Sequence, residues 1–267
     1  MQLLELENLY EGGNVFKTAE GKIETKRIDL KDIKPTLKAL EQILKIPLES
    51  QILGSVGKKK SSGDIDLSID PYLLPKDQLI KHLNTYVKSI NGGDPANWIK
   101  KSGITIHFKM PIRNNPRNGY VQVDFMFHAG GEEEDKWLKF SMYSAGDSSQ
   151  YSGADRNLLM SSIAKAQGLK YSWQKGLISR EDETPISKDP DEIARLLLGP
   201  KYQGDVFLSV EAMQEAIHSR PDLQAKFKDL VKDLAEPVDS RGVARKPGEM
   251  RKNQEEIARI TRLTGIS

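Results

Sequence analysis

A chain of 267 residues, 37% hydrophobic and 29% charged, can bury a sizeable core and has the composition of a globular protein of one large or two modest domains. Its net charge of +2 is too balanced to imply a polyanionic partner from global charge, so any basic surface has to be local. The absence of cysteine excludes disulfides and thiolate chemistry, and no apolar run approaches a membrane span or a secretion signal, so a cytoplasmic protein with no membrane partner is expected.

Residues 1–26 carry Leu3, Leu4, Leu6 and Leu9, then the turn signals Gly12-Gly13-Asn14 and Gly21, which predict a small hairpin or strap. Residues 29–45 place Ile33, Leu37, Leu40 and Leu44 at helical spacing, with Asp29 or Asp32 as N-cap. The most informative stretch follows. Ile52 and Leu53 lead into Gly54-Ser55, then a loop of glycine, lysine and serine, then strict alternation of Ile65, Leu67 and Ile69 with Asp64, Asp66, Ser68 and Asp70. Alternation predicts a half-buried strand, so Asp64 and Asp66 project from the same side. Two adjacent carboxylates with no basic residue between them repel each other unless a cation lies between them. A hard divalent ion, bound by a few carboxylates plus substrate phosphates, supplies that charge. Gly54-Ser55 and the loop 57–60 offer backbone N–H groups, a hydroxyl and lysines, which suit a phosphate chain.

Residues 75–90 form a second amphipathic pattern, with Leu79, Leu83, Val87 and Ile90 on one stripe, broken by Asn91-Gly92-Gly93-Asp94-Pro95. Residues 104–110 alternate as a strand, residues 113–119 read as a turn, and residues 120–127 return as a strand. Val121, Val123 and Phe125 face one way there; Gln122, Asp124 and Met126 face the other. An aspartate within such an apolar strand is costly unless paired or metal-bound, which makes Asp124 the third candidate ligand. His107 reads as a solvent-side histidine, and the acidic run 132–135 as a solvated loop.

The second half reads as helical: residues 156–167 closed by Gly168, residues 191–199, two helices within 209–234 broken near 219–221, and a basic helix over 251–263. Between the last two lies a Pro/Gly/Arg-rich linker, 237–248. Arg241, Arg245, Lys246, Arg251, Lys252, Arg259 and Arg262 make the tail locally basic, either as a solvated helix end or as a phosphate-contacting arm.

The string Leu53-Gly54-Ser55, Lys58-Lys59-Lys60 and Ser61-Ser62-Gly63-Asp64-Ile65-Asp66 resembles the signature of the nucleotidyltransferase superfamily, in its DNA polymerase beta-like (family X-like) branch. Val121–Phe125 fits the strand that carries that family's third carboxylate. Tyr151-Ser152-Gly153-Ala154-Asp155-Arg156-Asn157 and Ala164–Lys170 are similar to the start of its thumb, and the resemblance extends over about residues 52–199. It implies an α/β (α+β) fold: a palm-like mixed sheet with flanking helices over residues 1–150, a helical thumb-like region over 151–236, and a basic linker with a C-terminal helix over 237–267. It also implies two Mg²⁺ (or Mn²⁺) ions roughly 3.5–4 Å apart, both bridged by Asp64 and Asp66, with Asp124 serving the ion on the attacking side. Gly54, Ser55, Lys58, Lys59 and Ser62 would bind an NTP or dNTP through its phosphates, and Tyr151, Asp155 and Asn157 through its sugar and base. The activity implied is transfer of a nucleoside monophosphate to a hydroxyl, preferentially a nucleic-acid 3′ end.

Several departures bear on the acceptor. The loop between Ser55 and Asp64 is one residue shorter than in polymerase beta, lysines replace its arginines, and Ser161 and Ser162 stand where an arginine toward a template is expected. Only 53 residues precede Gly54, with no lyase-like or helix-hairpin-helix pattern. Transfer to a small molecule or a protein side chain, and a degenerate nucleotide-binding or structural protein, are the alternatives. The intact Asp64, Asp66 and Asp124 argue against the degenerate one.

Overall fold

Alternating apolar residues in two separate stretches become neighbouring strands of one mixed sheet in the computed structural model, which describes residues 15–18, 20–238 and 242–266. Strands β3 (Asp64–Ile69), β4 (Ile99–Ser102), β5 (Thr105–Pro111) and β6 (Tyr120–Phe127) lie in the order β3-β6-β5-β4. The β3–β6 pair is parallel, while β5–β6 and β4–β5 are antiparallel. A two-stranded antiparallel ribbon, β1 (Ile28–Asp29) with β2 (Ser61–Ser62), leads into β3.

One face of the sheet is apolar because side chains alternate with period two. Ile65, Leu67, Ile106, Phe108, Val123 and Phe125 on that face are buried and join a single core with helices α1 (Leu30–Leu44) and α2 (Lys76–Ser89). Helix α1 contributes Ile33, Leu37, Leu40 and Leu44, the residues its 3.6 spacing brings to one side. It ends at Lys45 in the left-handed conformation (φ 62°), whose N–H closes on the Glu41 carbonyl. Helix α2 contributes Leu79, Leu83, Tyr86 and Val87. The opposite face carries Asp64, Asp66, His107, Lys109, Gln122 and Asp124. Helix α3 (Glu132–Ser141) follows β6. Its first turn is the acidic run expected to be a loop. Four acids in succession suit a helix N-terminus, where unpaired N–H groups favour negative charge.

The chain divides into two compact units with a boundary in sequence after Ser148. The second unit holds α4 (Gly153–Ala166), α5 (Pro190–Leu198), α6 (Val210–His218), α7 (Pro221–Ala235) and α8 (Pro247–Thr264). It is not purely helical: β7 (Leu169–Ser172), β8 (Gly176–Ser179) and β9 (Pro185–Ser187) form a three-stranded antiparallel sheet. Helix α8 packs on α4, α6 and α7. Within the tail, the Arg245 guanidinium bonds the Glu236 carbonyl at 3.1 Å and pairs with Asp233 at 3.3 Å, and Arg262 pairs with Asp155. The N-terminal leucines, Gly12-Gly13 and Arg241 lie outside the described residues. Among the described residues no helix is long and apolar enough to cross a membrane.

Phe125 lies fully buried at the centre of β6, next to Asp124. Phe125→Ala should cost about 3–5 kcal/mol through lost burial and an unfilled cavity. Urea denaturation checks this; a loss below about 1 kcal/mol would mean that the site is not held by this core.

Candidate metal centre

The parallel register sets Asp66 directly opposite Asp124 and Asp64 opposite Gln122. Since alternate residues share a face, Asp64, Asp66 and Asp124 emerge together on the side away from the core. Ligand oxygens of the three lie within 4.8 Å of one another, so the triad could hold a metal ion. An all-oxygen, carboxylate donor set suits a hard cation such as Mg²⁺ or Mn²⁺.

The electrostatics fit a missing positive charge. Burial, reinforced by Asp64 and Asp124, pushes the Asp66 carboxyl well above the usual carboxylate range. Burial and the Asp124 charge push Asp64 up to about 6, against a downward pull from a backbone hydrogen bond, Arg27 and His107. Arg27 is placed by two bonds, from Nε to Ser61 Oγ at 3.1 Å and from Nη2 to the Ser61 carbonyl at 2.8 Å.

Asp124 is held differently. Gln122 Nε2 donates to both of its carboxylate oxygens, at 2.9 and 3.0 Å. His107 Nδ1 is 2.7 Å from Asp124 Oδ1. His107 therefore does not face solvent, as its strand parity suggested. It stands directly opposite Asp124 across the β5–β6 pair, with its side chain 12% exposed.

The Gly54-Ser55 segment reaches the carboxylates along β3. Ile52 bridges Leu67, and the Leu53 N–H donates to the Asp66 carbonyl at 2.9 Å. Gly54 then turns with φ 64°, a conformation that favours glycine; a Cβ built there would lie 3.6 Å from Asp66 Oδ2. Lys58 N–H closes the turn on the Ser55 carbonyl at 3.0 Å. Among the described residues, the backbone N–H groups of Gly54, Ser55, Val56 and Gly57 donate to no acceptor. Successive N–H groups without an acceptor, in a turn whose first residue lies beside Asp66, are a donor set that could hold an anion.

The lysines of the loop behave less simply than their charge suggests. Lys58 Nζ donates to the Ser144 carbonyl at 3.0 Å and lies 4.6 Å from the centre of the Tyr143 ring, and burial lowers its pKa. Gly146 (φ 68°) packs so closely that a Cβ would come 2.5 Å from that of Lys58. Lys59 is half-buried and has no hydrogen bond or ion pair with a described residue. Ser62 is buried, and its Oγ has no partner among the described residues.

Tyr151, Asp155 and Asn157 belong to the second unit, where each has a local bond. Tyr151 OH accepts from Gln214 Nε2 at 3.1 Å. Asp155 completes a capping box with Ser152 at the start of α4, and Asn157 Oδ1 accepts from Arg156 Nη1 at 2.8 Å. The residues that sequence reasoning missed are His107, Gln122 and Arg27. Gln122 had the right parity as a signal, whereas His107 and Arg27 depend on strand register. In comparisons with known proteins, no family model and no curated protein matches the chain.

A pH dependence follows for the metal-free protein. With Asp64 raised to about 6 in the fold, the native state holds a proton that the unfolded chain releases near the ordinary value of 3.8. This contribution is complete below the unfolded value and is lost as pH rises through the folded one. Asp66, raised by burial and by both neighbouring carboxylates, adds to this loss. The melting temperature of the metal-free protein should therefore fall between about pH 4 and pH 7, and Asp66→Asn should flatten the fall. Thermal melts across that range check it; stability rising with pH would contradict the charge crowding.

Proposed function

We propose that the chain is a metal-dependent nucleotidyltransferase that moves a nucleoside monophosphate from an NTP or dNTP to a hydroxyl, releasing pyrophosphate. The supporting observation is the pairing of three carboxylates within 4.8 Å with the four free N–H groups of the Gly54–Gly57 turn. The first is a site for cations, the second a site for phosphate, and they adjoin at Gly54 and Asp66. Asp64, Asp66 and Asp124 would hold two Mg²⁺ or Mn²⁺ ions. When bound, such ions neutralise phosphate charge and lower the pKa of an attacking hydroxyl.

The chain's own groups do the rest. The N–H groups of residues 54–57 orient the phosphates by direct donation, which costs no reorganisation because the turn is already formed. Ser55 and Lys59 supply a hydroxyl and a charge on the same loop. Asp124 is held by Gln122 and His107, so its carboxylate is aimed before a substrate arrives. The acceptor hydroxyl attacks the α-phosphorus; a P–O bond forms there as the bond to the bridging oxygen breaks. The preferred acceptor is a nucleic-acid 3′ end, because the polymerase beta-like pattern continues through residues 151–199. A small-molecule or protein hydroxyl is the second reading. It draws support from the tail, where Arg245 and Arg262 are taken up by pairs within their own unit.

The test offers the protein Mg²⁺ or Mn²⁺ and each labelled NTP and dNTP, with primed DNA, with RNA bearing a free 3′ end, or with no added acceptor. Label should move onto a 3′ end. Asp64→Asn and Asp66→Asn should each reduce transfer by more than the ~10–100-fold typical of residues that merely support a ligand. Label on the protein alone would overturn the acceptor and leave the chemistry standing. Full activity in either variant would overturn the chemistry.

A further inference from the structure

Across the polar face of the sheet the registers of two strand pairs align. Asp66, Asp124 and His107 form one cross-strand row, and Asp64, Gln122 and Lys109 form the next. Asp124 is thus flanked by Asp66 on one neighbouring strand and by His107 on the other, with Gln122 two residues before it on its own strand. In the tautomer that carries its proton on Nδ1, His107 donates to Asp124 Oδ1 across the 2.7 Å contact. The other ring nitrogen, Nε2, is buried and has no partner among the described residues. A buried polar atom left unpaired costs about 1–3 kcal/mol. An apolar residue at position 107 would fill the same space without that cost, so packing does not account for a histidine there.

Repulsion gives the reason. Asp64 and Asp66 both bear the Asp124 charge, and each of the three carboxylates is favoured by rotating away from the other two. Gln122 bridges both Asp124 oxygens and, with its own Oε1 accepting from the Val15 N–H at 3.2 Å, is fixed at its far end. His107 adds a donor to one oxygen only, Oδ1, from the strand on the far side of Asp66. One symmetric donor and one asymmetric donor together define the plane of the carboxylate, where either alone leaves it free to turn.

We propose that His107 is a positioning residue for the cation site: its Nδ1–H fixes the Asp124 carboxylate so that the three acids present one converging set of oxygens. The proposal rests on the cation-binding reading of this cluster, but not on which group is transferred or to what. Residues that bond to a metal-ligating carboxylate set the ligand's orientation, and losing one typically weakens metal binding about 10–100-fold.

The test compares His107→Asn, His107→Gln and His107→Phe in the full chain, without nucleotide. Asparagine can place its side-chain N–H near the position of Nδ1–H. Glutamine fills a similar polar volume but carries its N–H near the position of Nε2. Mn²⁺ binding is measured from the loss of the free-ion electron paramagnetic resonance signal, with circular dichroism and a melt to establish folding. The Gln and Phe variants should bind Mn²⁺ about 10–100-fold more weakly than the unmodified protein, and Asn should recover most of that loss. A structural role would make Asn and Gln equivalent, so equal affinities in those two variants would overturn the proposal even if the Phe variant fails to fold. Unchanged affinity in a folded Gln or Phe variant would also overturn it. A lack of Mn²⁺ binding by the unmodified protein would instead remove the cation reading itself, and this proposal with it.

Discussion

The constraint on which the site depends is the parallel register of β3 and β6. Each strand must bury one set of alternate residues, Ile65 and Leu67 in one, Val123 and Phe125 in the other. A slip of one residue would turn every apolar side chain to the wrong face, so the hydrophobic pattern holds the register firmly. The same parity forces Asp64, Asp66 and Asp124 onto the other face, side by side. Their mutual repulsion is unfavourable to the fold, and the apolar face beneath has to offset it. In this sense the core fixes the site geometry, and the three carboxylates it gathers could hold a cation.

The cluster is lopsided, and that has chemical content. Asp124 accepts from His107 on β5 and from Gln122 two residues back on its own strand. On the β3 side Asp64 and Asp66 carry the raised proton affinities, and Arg27 offsets part of this at Asp64 alone. Hydrogen bonds thus fix one carboxylate, while the deficit of positive charge is concentrated between the other two. The turn that begins at Gly54 adjoins Asp66, where a Cβ built on Gly54 would lie 3.6 Å from Oδ2.

The three aspartates were legible because strand alternation is a local property: period two places Asp64 with Asp66, and an aspartate in an apolar strand needs a partner. His107 was not legible because its neighbour is decided by register across β5 and β6. That register depends on residues 112–119, where Arg113 and Asn114 both adopt left-handed backbone conformations (φ 57° each) that no simple turn pattern announces. The sheet of β7, β8 and β9 escaped notice for another reason. Its strands are three or four residues long, too short to show alternation, and β8 opens with Gly176 at φ 84° packed against the Ser187 carbonyl. Charge was the least legible property. Composition marks Lys58, Arg245 and Arg262 as basic, but direction and pairing decide what that charge can do.

Lys58 illustrates the point and suggests how the loop selects its ligand. With Nζ bonded to Ser144, the side chain acts as a brace, and the close approach of Gly146 fixes the backbone beside it. A ligand that needed the Lys58 ammonium would have to break these contacts. A ligand that needs backbone donors finds four of them already in place, and pre-formed donors bind without the entropic cost of ordering a flexible lysine. Geometry of this kind would suit an anion small enough to enter a tight turn better than one that needs a mobile lysine.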